Sequence, residues 1–105
     1  MMCPMTTSMH PLSEATVRKT AELFSTLAHP GRLRILWHLA KHPEDTVGHV
    51  ANRLGMDQSA LSHQLRLLRD ANLVVARRAG KTMQYALVDQ HVVDIIHDAL
   101  AHANE

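Results

Sequence analysis

The sequence predicts a mainly α chain with a small β-hairpin, arranged as a winged helix-turn-helix. Three observations predict it. Apolar residues recur at three- and four-residue steps through most of the chain. Residues 46–68, "TVGHVANRLGMDQSALSHQLRLL", read as a short helix, a glycine-containing turn and a second helix. Directly after them come two β-like runs, "LVVARR" and "MQYALV", joined by "AGKT".

The elements follow in order. Residues 1–12 are rich in Met, Thr, Ser and Pro and read as a flexible arm, which leaves 13–105 as one domain. Ser13 and Glu14 open a helix in which Val17, Ala21, Phe24 and Leu27 form a stripe. "HPGR" interrupts it. Leu33, Ile35, Leu36 and Leu39 mark a second helix, stopped by "KHPED". Thr46 can cap a third, with Val47, Val50 and Leu54 facing inward and Gly55 ending it. Asp57 or Ser59 caps the fourth, whose inner stripe is Leu61, Leu65 and Leu68. Gly80 suits the hairpin tip. The last segment, "DQHVVDIIHDALAHANE", is helical again.

Composition narrows the class. The chain has 105 residues and a 46% hydrophobic fraction, which suits a folded domain with a modest core. A dimer sharing its core would suit this size. No apolar run is long enough to span a membrane, and "MMCPMTTSMHPLSE" is not patterned as a secretory signal. The one cysteine, Cys3, cannot form an internal disulfide, so a cytoplasmic location is expected. No nucleophile–base pair stands out, so an enzyme is not expected.

Net charge is only +1, but it is unevenly spread. Residues 57–82 carry a net +3 and residues 83–105 a net −4. A basic middle and an acidic, histidine-bearing end imply two surfaces with two partners. The basic part fits DNA. Gln58, Ser59, Ser62, His63 and Gln64 place short polar groups near the start of the second helix of the motif, where a recognition helix meets base edges. Arg66 and the hairpin residues Arg77, Arg78 and Lys81 would neutralise phosphates.

The end of the chain poses a metal question. On a helix, Val92, Val93, Ile96, Ala99, Leu100 and Ala103 share a broad apolar face, while His91, Asp94, Asp98, His102 and Glu105 lie opposite. A second copy of the same helix is a natural cover for the apolar side. His91 and His102 are separated by about 16 Å along the axis, too far to share an ion within a chain when Zn–N bonds are about 2.0–2.1 Å. In an antiparallel pair, Asp89 and His91 of one chain could meet His102 and Glu105 of the other, giving two sites of two nitrogens and two oxygens. His97 falls toward the flank of the apolar stripe and reads as a packing residue or one supporting a ligand. His29, His38 and His42 read as packing or surface residues, and His49 as a solvated one.

"STLAHPGRLRILWHL", "SALSHQLRLLRDANLV" and "ARRAGKTMQYALVD" together resemble the ArsR/SmtB family of metal-sensing repressors, from about Glu22 to the end. The resemblance implies a homodimer, packed through its terminal helices, that binds a palindromic double-stranded operator and is released by metal. It implies Gln58, Ser59, Ser62 and His63 as DNA-facing positions. The family's C-terminal-helix sensing pattern is Asp-x-His, ten residues, then His-x-x-Glu or His-x-x-His. Here Asp89, His91, His102 and Glu105 fill every position, with zinc the expected metal. The resemblance also implies a bond from the ring of His102 to a backbone carbonyl near Asn72. The family's thiolate site on the third helix finds no cysteine near Thr46 or Gly48. Nickel or cobalt, with extra ligands such as Cys3 and His10 from the arm, is the alternative, followed by a redox-responsive repressor. Neither a membrane nor a small organic substrate is expected as a partner.

Overall fold

A computed structural model describes residues 12–43 and 45–105. The expected arm, with Cys3 and His10, lies outside the described residues apart from Leu12. The elements run α1 (Glu14–Leu27), α2 (Pro30–Lys41), β1 (Asp45–Thr46), α3 (Val47–Leu54), α4 (Gln58–Asp70), β2 (Val74–Ala79), β3 (Thr82–Leu87) and α5 (Gln90–Ala103).

Side chains that satisfy the free N–H groups of a first turn mark four helix starts. Ser13 Oγ accepts from the Thr16 N–H of α1, and Thr46 Oγ1 from the His49 N–H of α3. Asp57 Oδ2 accepts from the Ala60 N–H of α4, and Asp89 Oδ1 from the Val92 N–H of α5. α2 instead starts on Pro30, whose missing N–H costs nothing there. Gly55, at φ 66°, closes α3 in the left-handed region that a side chain resists.

The core lies where α2, α3 and α4 meet the sheet and α5. Ile35, Leu36, Leu61, Leu65 and Leu68 are wholly buried, joined by Leu39, Val50, Val74 and Ile96. The predicted leucine stripe of α4 is therefore its inner face. Ile95, absent from the predicted apolar face of α5, also packs against the core.

The sheet is antiparallel with strand order β1-β3-β2. The hairpin pairs Val74 with Leu87 through Ala79 with Thr82, leaving Gly80 and Lys81 as the tip. Gly80 takes φ 65° there. The two-residue β1 was not expected from the sequence; it pairs Asp45 with Tyr85 and Thr46 with Gln84. Only a non-local partner makes so short a segment a strand, and here it fastens the start of α3 to the wing.

α1 departs from the sequence expectation. Of its stripe, only Leu27 is buried; Val17 is 40% exposed and Phe24 57%. Among the described residues nothing covers this apolar side.

Candidate functional site

Two candidate surfaces are present. The first runs along the N-terminal ends of α3 and α4 and the wing. A groove of about 390 Å³ is lined by Thr46, Gly48, Gln58, Ser62, Lys81 and Thr82, among others. The fold thus brings Gln58, Ser62 and Lys81 together from α4 and the hairpin tip. Ser59, His63 and Arg66 are exposed on α4 beyond this groove. Two helix N-termini face this groove; Thr46 and Asp57 each cap one first-turn N–H group, and the N–H groups left free can meet a phosphate.

Arg77 and Arg78 are adjacent on β2 and therefore face opposite sides of the hairpin. Arg77 lies across from Gln84, with Nη2 donating to Gln84 Oε1 at 3.5 Å. Arg78 pairs in register with Met83. The two arginines cannot grip the same phosphate from one face, although each is exposed.

Gln64 does not belong with the base-facing groups. Its Oε1 accepts from Arg32 Nε at 3.0 Å, so the side chain turns toward α2.

The second surface is α5. His91 sits in its first turn and His102 in its last. The His91 side chain is 91% exposed, with Nδ1 3.7 Å from Asp89 Oδ1. The helix ends at Ala103, so Glu105 lies beyond it; its N–H donates to the His102 carbonyl at 3.3 Å. His102 and Glu105 are therefore joined by a short C-terminal turn rather than set on one helical face. Among the described residues, no three His, Cys, Asp or Glu side chains of one chain converge to hold a metal. Asp89 and His91 instead border a groove of about 750 Å³ that also takes in Lys19, Leu23, Asn72 and Ile95. Asn72 is thus beside the His91 end of α5. A bond from His102 to this turn would have to come from a second chain. His97 lines a different groove, with Leu33, Arg34 and Trp37 of α2.

One polar network was missed by sequence reasoning. His38 Nε2 donates to Asp45 Oδ2 at 2.9 Å, and His49 Nδ1 to Asp45 Oδ1 at 3.1 Å. The Thr46 N–H adds a third bond to the same carboxylate. Burial alone would raise the Asp45 pKa. The bonds from His38, His49 and Thr46 outweigh it and hold the carboxyl below its ordinary value. His38 stacks on His42 at 4.6 Å between ring centroids. The only sequence hint was the i, i+4 spacing of Asp45 and His49.

A three-helix core, a recognition helix with an exposed polar face and a basic hairpin beside it define the winged helix-turn-helix class of DNA-binding proteins. Comparison with known proteins narrows this class. A family described as a helix-turn-helix domain matches residues 27–77. NmtR of Mycobacterium tuberculosis, a transcriptional regulator, is 42% identical over 89% of this chain and 77% of its own length. A transcriptional repressor SmtB homolog of Synechocystis is 41% identical over 84% of this chain and 66% of its own. Among solved structures, the antimony-specific transcriptional repressor AntR superposes with a TM-score of 0.84 at 29% identity, covering 99% of this chain and 94% of that one. The homodimeric winged helix-turn-helix DNA-binding domain of Mb0332 from Mycobacterium bovis gives 0.81 at 30%, covering 92% of both. The chain belongs to the ArsR/SmtB family of transcriptional repressors. No helix among the described residues is long and apolar enough to cross a membrane.

Proposed function

We propose that the chain represses transcription as a homodimer on operator DNA and is released when zinc binds between the two copies of α5. The observation that carries this reading is the placement of His91 and His102 in the first and last turns of one helix, with Asp89 beside His91 and Glu105 three residues past His102. A single chain offers only half a site at each end. An antiparallel partner supplies the other half, and two nitrogens with two oxygens make an acceptable tetrahedral set for zinc. The uncovered apolar side of α1 and the exposed Ala99 and Ala103 of α5 supply surface for a partner. The structural neighbour from Mycobacterium bovis is a homodimer.

Metal sensing by relatives supports the reading. One structural neighbour is antimony-specific. This chain keeps that fold but has no cysteine from Lys41 to Glu105, so its donors are imidazole and carboxylate. When bound, zinc would crosslink the protomers and favour one arrangement of them. Operator affinity then falls if that arrangement misplaces the two recognition helices.

Mixed dimers test the interchain site. One chain carries Asp89→Ala and His91→Ala, the other His102→Ala and Glu105→Ala. Each homodimer should fail to bind zinc tightly, while the heterodimer regains one site. A heterodimer as inert as its parents would refute ligation across the interface.

A further inference from the structure

Among the described residues, a polar tie between α1 and the recognition helix runs through Arg32. This residue sits in the first turn of α2, just past the short α1–α2 junction. Its Nε donates to Gln64 Oε1 at 3.0 Å, and its Nη1 donates to the Thr26 carbonyl at 3.3 Å. Both bonds are partly buried. Thr26 lies in the last turn of α1, where carbonyls lose their helical partners. The neighbouring carbonyls of Ser25 and Leu27 accept from Ala28 and His29. The Thr26 carbonyl takes the guanidinium instead, and a cation at a helix C-terminus is favourably placed.

We propose that Arg32 is a positioning residue, a strut through which the position of α1 sets the position of α4. The proposal rests on the dimer reading above, in which the uncovered side of α1 faces the partner. The leucines of α4 hold it against the core, but apolar packing is non-directional and tolerates small slides. A guanidinium differs, because its donors form a rigid planar fork. Bonding Thr26 with one nitrogen and Gln64 with another fixes the spacing of the two helices it joins. The Gln64 carbonyl oxygen is committed to this contact, which removes the residue from the base-reading set. An open groove of about 290 Å³, lined by His29, Pro30, Gly31, Met56 and the pair itself, borders the strut. The strut therefore has room to move as a unit when α1 shifts. A change in how the protomers sit would displace α1, and Arg32 would carry the displacement to α4.

Two substitutions cut the strut from opposite ends, Arg32→Gln and Gln64→Leu, so one folded variant suffices. Gln64→Glu keeps an acceptor and serves as the conservative control. The first readout is the ratio of operator affinities without and with saturating zinc. Wild type and Gln64→Glu should show a ratio in the ordinary allosteric range of about 5- to 150-fold. The cut variants should fall below about twofold while still binding zinc as dimers. A role confined to stability would lower the melting temperature and leave the ratio alone, and that result would overturn the proposal. The second readout needs no metal. Phe24→Leu perturbs the exposed side of α1 and should shift the amide resonances of residues 62–66 in the wild-type background. In Arg32→Gln those resonances should stay in place. Shifts that persist in the cut background overturn the strut whatever zinc does. A wild-type ratio near one overturns zinc release alone, and the resonance experiment then decides the strut.

Discussion

Replacing Asp45 by alanine removes the carboxylate that joins α2, the start of α3 and the wing. Its magnitude can be built from the three bonds. The bond to His38 is nearly dry, with side chains 8% and 14% exposed, and a charge-assisted bond of that kind contributes about 1.5–3 kcal/mol. The bond to His49 is discounted heavily, because that side chain is 74% exposed and such pairs contribute about 0.2–1 kcal/mol at most. The Thr46 N–H bond is lost as well, and His38 keeps a buried ring nitrogen with no acceptor. The total is about 2–5 kcal/mol, which lowers the melting temperature by roughly 10–30 °C for a domain of this size. The pH dependence has a definite sign. The Asp45 carboxyl titrates below its ordinary 3.8 in the folded chain, so its stabilisation is complete above 3.8 and disappears as pH falls through the lower folded value. Denaturant melts of wild type and Asp45→Ala at equal protomer concentration should therefore differ at about pH 4.5, where the carboxylate is still ionised. Below pH 3.8 the gap should narrow. A variant as stable as wild type at pH 7, or a gap that widens in acid, would refute the reasoning.

Two further predictions concern the wing and the turn. Lys81→Ala should weaken DNA binding about equally across sequences and reduce the salt slope of log affinity by about 1, measured by anisotropy between 50 and 200 mM salt. A change in sequence preference instead would place Lys81 on a base. Gly55→Ala meets no atom within 4 Å of the new Cβ, so its cost is backbone strain alone at φ 66°. That strain is about 1–2 kcal/mol, and Gly55→Asn should cost less; equal melting temperatures for all three would remove the left-handed turn from the account.

Much of the fold could be read from the sequence because its determinants are local. Ser13, Thr46 and Asp57 cap the helices that follow them, and Leu61, Leu65 and Leu68 mark an inner stripe by spacing alone. What could not be read depends on partners far along the chain. β1 is a strand only because Tyr85 and Gln84 lie opposite it. Arg32 meets Gln64 across 32 positions, and His38 finds Asp45 only once α2 packs beside β1. On α5, spacing located the residues but not the helix end, which leaves Glu105 past the last turn. Asp89 also caps the helix with Oδ1, a role invisible in a ligand pattern. Periodicity made Phe24 a core residue; among the described residues nothing covers it, and it stays exposed.

The most direct test of zinc release is an operator titration. A duplex enriched from random sequences by the metal-free protein is titrated with wild type and with His102→Ala, each without and with saturating zinc. The account predicts that zinc lowers wild-type affinity by about 5- to 150-fold. It predicts that His102→Ala binds the duplex about as tightly as metal-free wild type and ignores zinc. Wild-type affinity unchanged by zinc, or a His102→Ala protein that still responds in full, would contradict it.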